Sequence, residues 1–153
     1  MIKKEKENMK TYIFDIDNTI ANNSKRIHYL NQEPKDWKSW HQEHHLDTPY
    51  WEIIEIMNMA SENGIKIVLL TGRDEFCRKE TIDWLSTHGI EYDELFMRPQ
   101  GNREDDSEMK RKKLGEIRAL GYDPVCVFED RDRVVAMWRE EGIRCLQVAP
   151  GNF

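Results

Sequence analysis

The sequence predicts an α/β domain whose mostly parallel sheet, of about five strands, is covered by helices on both faces. Strands are predicted at 11–15, 65–71, 93–97, 124–128 and 144–148, and the run at 65–71 is rich in β-branched and aliphatic residues, as buried parallel strands are. Segments with helical spacing separate them, and this alternation favours right-handed crossovers between parallel strands. The length of 153 residues is typical of one domain with a core of its own.

Helical spacing predicts the elements between these strands, and two helices carry specific expectations. Thr48 is the expected N-cap residue of one helix, with Pro49 at its first position. The next helix is expected to bury Phe76, Ile82 and Leu85. The last two helices are predicted over residues 106–120 and 131–141.

Residues 20–48 form a polar insert after the first predicted strand. The segment is long for a loop in a compact domain, and such insertions are usually lids or binding loops. One helix is predicted in it, over residues 36–44, where Trp37 and Trp40 either pack the insert or stack a nucleobase. We expect the insert to select substrates without contributing to chemistry. Residues 1–10 are predicted to be a charged lead-in.

Composition excludes several classes of protein. The net charge of −6 argues against a broad, sequence-independent coating of nucleic acid, which usually leaves a basic footprint. The three cysteines form no C-x-x-C pair and are expected to be buried thiols in a reducing compartment. Neither a signal peptide nor an apolar run of membrane-spanning length is evident. These features predict a cytoplasmic protein without a membrane partner.

The first strand ends on Asp15, and Asp17, Asn18 and Thr19 follow it. Ligands of open α/β sheets bind outside the carboxyl ends of the strands, so Asp15 is expected at the mouth of a crevice. Its carboxylate could attack an electrophile or hold a cation. Asn18 suits a tight turn, because Asn tolerates the left-handed conformation. An EF-hand calcium loop is excluded, because its required sixth-position Gly is Ile20 here.

Two further strand ends carry polar side chains. Thr71, Gly72 and Arg73 offer a hydroxyl, a bare backbone and a guanidinium, which together suit a phosphate. The alternative is an ordinary turn with a surface arginine. Glu129 and Asp130 are adjacent acids suited to Mg²⁺, unless they only stabilise the start of the next helix.

The predicted topology brings Asp15, Asp17, Glu129 and Asp130 to one edge of the sheet. Two carboxylates about 4 Å apart repel by roughly 4 kcal/mol at an effective dielectric constant of about 20. Such a cluster requires a cation and a basic side chain, and Lys110 is available for the second role. The arrangement suits phosphoryl transfer, in which catalysis is largely positioning and charge stabilisation.

In this order, these residues resemble the motifs of haloacid-dehalogenase (HAD) phosphatases. The resemblance implies a HAD-like (Rossmannoid) three-layer fold with a small cap insert after the first strand. It implies that Asp15 is a nucleophile that forms an aspartyl-phosphate, and that Asp17 is the general acid and later the base. Thr71 and Lys110 would hold the phosphoryl oxygens.

The same resemblance implies a Mg²⁺ cofactor. Its ligands would be Asp15, the backbone carbonyl of Asp17, and Asp130. Glu129 replaces the aspartate that is usual at its position, so we expect it to act on the metal indirectly or through water.

A closer similarity is to the 3′-phosphatase domain of phage polynucleotide kinases. It implies that Arg73 and Arg98 contact the substrate phosphate or its nucleotide, with Thr19 and Gly72 also at the substrate. Lys112 and Lys113 are alternatives to Lys110. The similarity extends over residues 71–73, 97–101, 129–131, 134–139 and 147–153.

The expected function is Mg²⁺-dependent removal of a 3′-phosphate from DNA or RNA ends in nucleic-acid repair. The alternatives are a HAD phosphatase for free nucleotides or other small phosphomonoesters, and a non-catalytic phosphate-binding module. No glycine is followed by lysine, so a P-loop is missing and no kinase activity is expected from this chain. A separate kinase or ligase is a conceivable partner.

His41 and His45 are spaced to share one helix face. Zinc metalloproteases use such a pair, but they require Glu directly after the first His, where this chain has Gln42. We therefore do not assign a zinc site to this pair.

Overall fold

The computed structural model describes residues 8–153 and contains a five-stranded parallel sheet. Its strand order is β5-β4-β1-β6-β7, so the first strand lies at the centre. The predicted α/β fold with a mostly parallel sheet is confirmed. The strands are β1 (Met9–Phe14), β4 (Lys66–Asp74), β5 (Glu94–Arg98), β6 (Tyr122–Glu129) and β7 (Arg144–Gln147).

Helices cover both faces of the sheet. One core lies under α2 (Trp51–Glu62) and α3 (Arg78–Thr87), and the other lies under α4 (Asp106–Ala119) and α5 (Asp132–Glu140). Adjacent residues of β1 divide between them, with Phe14 in the first core and Ile13 in the second. This alternation follows from the two-residue period of a strand, and it explains why β1 is apolar throughout its second half.

The chain enters and leaves the insert through a short antiparallel ribbon of β2 (Ala21–Asn22) and β3 (Thr48–Pro49). The prediction that Thr48 caps a helix is therefore wrong. Thr48 and Pro49 instead form strand β3, which pairs with β2, and α2 begins at Trp51 after Tyr50. Inside the insert, α1 (Trp37–Gln42) is shorter than predicted and is capped by Asp36, whose carboxylate accepts from Ser39 N at 3.0 Å.

The phase of α3 also differs from the prediction. Phe76 and Ile82 are exposed, while Leu85 is buried as expected. Strand β4 continues to Asp74, and a 3₁₀ turn precedes the helix, so α3 turns a different set of side chains inward. At the start of the chain, Met9 and Lys10 belong to β1, and residues 1–7 of the predicted lead-in lie outside the described residues.

All three cysteines are buried free thiols, as predicted. Among residues 8–153, no helix has the length and apolar character that crossing a membrane requires.

Candidate active site

Asp15 lies directly beyond β1, at the carboxyl edge of the sheet. Its backbone N–H donates to the carbonyl of Phe128 on β6 at 3.0 Å, which extends the pairing of the two strands to the site. The chain then turns at Asn18, whose φ of 60° confirms the expected left-handed turn. Thr19 returns over the site, and its hydroxyl donates to Asp15 Oδ2 at 3.2 Å.

Three carboxylates and one lysine occupy this edge of the sheet. One oxygen from each of Asp15, Glu129 and Asp130 lies within 4.8 Å of the others. Lys110 Nζ on α4 lies 2.9 Å from Asp15 Oδ1 and 2.8 Å from Glu129 Oε2. All four residues are buried. The structure thus brings together three of the four predicted acids, without Asp17. Lys110 rather than Lys112 contacts them, because Lys112 forms a surface ion pair with Glu104.

The three carboxylates of this cluster outnumber its one lysine, and burial is the largest cause of the shifts in their pKa values. Burial, followed by the charge of Glu129, raises the pKa of Asp15 to about 7. Burial likewise raises the pKa of Glu129 to about 7 and that of Asp130 to about 7. Burial alone would lower the pKa of Lys110, but the neighbouring carboxylates, Asp106 first, raise it well above its usual value.

The donor set fits a hard divalent cation. It consists of carboxylate oxygens only, which is the ligand type that Mg²⁺ prefers. One lysine cannot neutralise three buried acids, so a cation would relieve the repulsion among them. Asp15, Asp130 and the backbone carbonyl of Asp17 stay the predicted ligands of such a cation.

Glu129 is already held by other partners. Its Oε2 accepts from Lys110, and its Oε1 accepts from the backbone N–H groups of Asp130 at 3.1 Å and Arg131 at 3.3 Å. The geometry therefore agrees with an indirect role, in which Glu129 orients Lys110 and the turn that carries Asp130.

Asp17 faces a different environment, made of two arginines. Arg73 donates to both of its oxygens, with Nη2 2.8 Å from Oδ1 and Nε 3.0 Å from Oδ2. Arg26 Nη2 lies 2.7 Å from the same Oδ1. Burial alone would raise the pKa of Asp17, but the guanidinium of Arg73, and then that of Arg26, hold it below its usual range.

Asp47 connects the two arginines from the far end of the insert. Its carboxylate accepts from Arg26 Nε at 2.6 Å and Nη2 at 2.7 Å, and from Arg73 Nη2 at 3.2 Å. Arg26 is fully buried, and its guanidinium lies 3.9 Å above the centroid of the Trp40 ring. Two arginines and two aspartates thus form a charge-balanced network.

Sequence reasoning missed Arg26 and Asp47. Both lie in a polar segment, where a charged side chain is normally a surface group, and no local pattern distinguishes them. Arg26 of the insert contacts Asp17, a predicted catalytic residue, and the expectation that the insert does not contribute to chemistry stays a prediction. A weak signal was available, because Arg26 follows an acid-rich motif that needs counter-charges.

Asp106, which was not predicted as a site residue, is connected to the predicted phosphate cradle through Arg98. Thr71 Oγ1 accepts from the backbone N–H of Arg73 at 3.1 Å. Arg98 donates from Nε to the carbonyl of Gly72 at 3.0 Å and from Nη2 to Asp106 Oδ1 at 2.9 Å. A Cβ on Gly72 would come 2.5 Å from Asp106 Oδ1, so a larger residue there would require the Asp106 side chain to move. A role of Arg73 and Arg98 at the substrate stays a prediction.

Comparison with known proteins identifies a family. The family model described as the polynucleotide kinase PNKP phosphatase domain matches residues 9–153. A protein of Autographa californica nuclear polyhedrosis virus, described as a bifunctional polynucleotide kinase/RNA ligase, is 30% identical over 129 residues. That match covers 82% of this chain and 17% of the viral protein.

Solved structures give a consistent result. A chain from the structure of a Pnkp1/Rnl/Hen1 complex matches with a TM-score of 0.80 and 30% identity, over 94% of this chain and 47% of that one. The class C acid phosphatase of Bacillus anthracis with tungstate bound matches with a TM-score of 0.68 at 18% identity, over 95% of this chain and 68% of that one, which concerns the fold alone. The chain spans less than half the length of the viral protein and of the Pnkp1/Rnl/Hen1 chain.

Proposed function

The chain belongs to the family of polynucleotide kinase phosphatase domains, which are HAD-type phosphomonoester hydrolases, and from this membership we propose that it removes the 3′-phosphate from DNA or RNA ends. The observation that carries the proposal is the buried cluster of Asp15, Glu129, Asp130 and Lys110 at the carboxyl edge of the sheet. The cluster combines a nucleophile, a cation site and a fixed positive charge.

In the proposed reaction, a carboxylate oxygen of Asp15 attacks the phosphorus atom and the bond to the 3′ oxygen breaks. The leaving oxygen takes a proton from Asp17. Water then attacks the aspartyl-phosphate, Asp17 accepts its proton, and inorganic phosphate and the free Asp15 carboxylate result. Lys110 and Thr71 hold the phosphoryl oxygens throughout.

Mg²⁺, held by Asp15, Asp130 and the backbone carbonyl of Asp17, would neutralise charge on the phosphoryl group. The protein prepares this site through Asn18, whose amide donates to Asp130 Oδ2 at 3.2 Å. Gly151 permits the close packing of the C-terminal segment on the backbone of Asp130, since a Cβ there would overlap the Asp130 carbonyl.

The arginine network suits Asp17 to one half of the reaction as it stands. A carboxylate held ionised by Arg73 and Arg26 can accept a proton from water, but it holds none to donate near neutral pH. Donation to the leaving oxygen therefore requires Asp17 to leave the guanidiniums and to take up a proton first.

The function is tested by measuring phosphate release from 3′-phosphorylated DNA and RNA oligonucleotides, a 5′-phosphorylated oligonucleotide and a nucleoside 3′-monophosphate. We expect kcat/KM to be highest for a 3′-phosphorylated oligonucleotide. A preference for the mononucleotide would favour a nucleotide phosphatase. If the folded protein released no phosphate from any of these substrates in the presence of Mg²⁺, a non-catalytic phosphate-binding module would be favoured.

Two relatives support a kinase or ligase as a partner of this chain. One is described as a kinase/ligase, and the other was solved in a complex with Rnl and Hen1. We expect this chain alone to transfer no label from ATP to a 5′-hydroxyl end. Label transfer by the purified chain would show that it carries its own kinase site.

A further inference from the structure

A second cluster of potential metal ligands lies on the insert side of the structure, apart from the carboxylates. It contains His41 on α1, His44 in the following 3₁₀ turn, and Cys77 at the end of the turn before α3. One ligand atom from each residue lies within 4.8 Å of the other two. The cluster therefore joins the insert to the segment that follows β4.

His44 gives the independent sign that something is bound here. The residue is 1% exposed, and neither Nδ1 nor Nε2 has a hydrogen-bond partner among the described residues. Buried polar atoms are almost always paired, because an unpaired one forfeits its hydration without compensation. A buried imidazole with a free nitrogen close to another imidazole and a thiol is positioned as a metal ligand.

The spacing of the other two ligands also fits a shared ion. Cys77 Sγ lies 3.9 Å from His41 Nδ1, which is long for a strong hydrogen bond. Two such atoms bound to one tetrahedral Zn²⁺ would lie about 3.5 Å apart, given a Zn–S bond of about 2.3 Å and a Zn–N bond of about 2.0 Å. The thiol at present donates to the carbonyl of Asp74 at 3.0 Å, which also fixes its position.

We propose that His41, His44 and Cys77 bind Zn²⁺, or a divalent cation of similar softness, at a site distinct from the carboxylate cluster. The ion would take two imidazole nitrogens and one thiolate, with water in the fourth position. Binding releases the thiol proton of Cys77 to solvent. The all-oxygen cluster at Asp15 prefers a hard cation, so the two sites differ in metal by donor chemistry.

The charges around the site permit a cation. The guanidiniums of Arg26 and Arg73 lie near the histidines, but Asp17 and Asp47 balance them. The environment is therefore close to neutral before the thiol ionises, and the thiolate then offsets part of the charge of the metal.

The site would be structural. His41 and His44 belong to the insert that supplies Arg26 and Asp47 to the network around Asp17, whereas Cys77 follows the strand that supplies Arg73. A shared ion would hold these two segments together. It would stabilise the folded chain by mass action, since the unfolded chain has no preformed site.

Co²⁺ provides a direct test, because thiolate ligation to Co²⁺ produces a charge-transfer band in the near ultraviolet and tetrahedral geometry produces strong visible bands. The reduced wild-type protein is titrated with Co²⁺ in excess Mg²⁺, which occupies oxygen sites, and Zn²⁺ is then added. We expect both signals to saturate at one Co²⁺ per chain and to disappear when Zn²⁺ displaces it.

Cys77→Ser is expected to abolish the thiolate band and the rise in melting temperature that Zn²⁺ gives the wild type. Matched controls are Cys126→Ser, a buried thiol elsewhere, and His45→Asn, whose side chain is exposed beside Glu43. Both should retain the signals. If Cys77→Ser does not fold, His41→Asn at the half-buried position replaces it. Absence of a thiolate band in the wild type, or its survival in the folded variant, would show that the proposal is wrong.

Discussion

The two halves of the active site contain similar buried acids but balance them differently. Around Asp15, three buried carboxylates lie close together, Lys110 contacts Asp15 and Glu129, and burial raises the pKa of each acid to about 7. Around Asp17, two carboxylates meet two arginines, and the pKa of Asp17 is lowered. The three carboxylates of the first half outnumber its one lysine, whereas the second half has as many arginines as carboxylates.

This difference assigns the roles. A half that lacks positive charge is prepared to receive a cation, and binding of the ion completes it. A balanced half needs no ligand, and it fixes the protonation state of the residue that handles protons. Lys110 reaches the first half from α4, whereas Arg26 and Asp47 reach the second half from the insert. The insert thus supplies side chains to the half that contains Asp17, the residue proposed to transfer protons.

The largest effect is expected from Asp15→Asn, because an amide cannot serve as the nucleophile. Turnover should fall by a factor on the order of 10⁴ or more, while substrate binding is kept or improves because one repelling charge is lost. Single-turnover kinetics and equilibrium binding of a 3′-phosphorylated oligonucleotide measure the two effects. Asp83→Asn, an exposed acid on α3, is the control. Full activity in Asp15→Asn would exclude an aspartyl-phosphate.

Lys110→Met tests the imbalance of the first half. Lys110 Nζ contacts two buried acids, Asp15 and Glu129, so its removal should lower the free energy of unfolding by about 3–5 kcal/mol without metal, because uncompensated buried charge remains. Mg²⁺ should recover part of that loss. Urea denaturation with and without Mg²⁺ measures both quantities. Lys112→Met, which removes an exposed lysine, should change little. If the two variants behaved alike, Lys110 would not be the counter-charge of the cluster.

Substitutions of two tryptophans should separate two proposed roles of the insert, which are support of the network around Asp17 and selection of oligonucleotides. Trp40 is buried and its ring lies against the guanidinium of Arg26, so Trp40→Ala should slow all substrates by disturbing the network around Asp17. Trp37 is 53% exposed and is the residue proposed to stack a base, so Trp37→Ala should raise KM for oligonucleotides roughly tenfold.

Hydrolysis of a small generic phosphomonoester by Trp37→Ala should stay near the wild-type rate. Steady-state kinetics on both substrates, with circular dichroism to confirm folding, distinguish the two variants. Equal losses on both substrates in Trp37→Ala would remove the selectivity role of the insert.

The stabilisation by Mg²⁺ should depend on pH. Because burial raises the pKa values of Asp15, Glu129 and Asp130, the metal-free folded chain holds protons that the unfolded chain loses. Its stability should therefore fall as the pH rises from about 4 to about 7 and then level off. Mg²⁺ binds the ionised acids, so its effect on melting temperature should be larger near pH 8 than near pH 6. Scanning fluorimetry measures this, and a larger shift near pH 6 would contradict it.

The sequence was sufficient for the sheet and for the carboxylate half. Asp15, Thr71 and Asp130 each follow an apolar run, and the carboxyl ends of parallel strands meet at one edge. Lys110 was placed by the resemblance, since nothing local separates it from its neighbours in a basic run.

The arginine half could not be predicted in the same way. Arg26 and Asp47 lie 21 residues apart in an irregular segment, and only the tertiary structure pairs them. The reversed orientation of Phe76 and Ile82 has a similar origin, because β4 runs past the point where its apolar pattern ends. Local patterns fix elements, but long-range pairing decides where a polar segment becomes buried.

Calorimetric titration with Mg²⁺, paired with phosphate release from a 3′-phosphorylated oligonucleotide, tests most directly whether the carboxylate half is completed by a cation. We expect one Mg²⁺ per chain in the wild type and in Trp37→Ala, and none in Asp130→Asn. EDTA should abolish phosphate release, and added Mg²⁺ should restore it. Full activity in EDTA, or unchanged Mg²⁺ binding in Asp130→Asn, would contradict a cation site at Asp15 and Asp130.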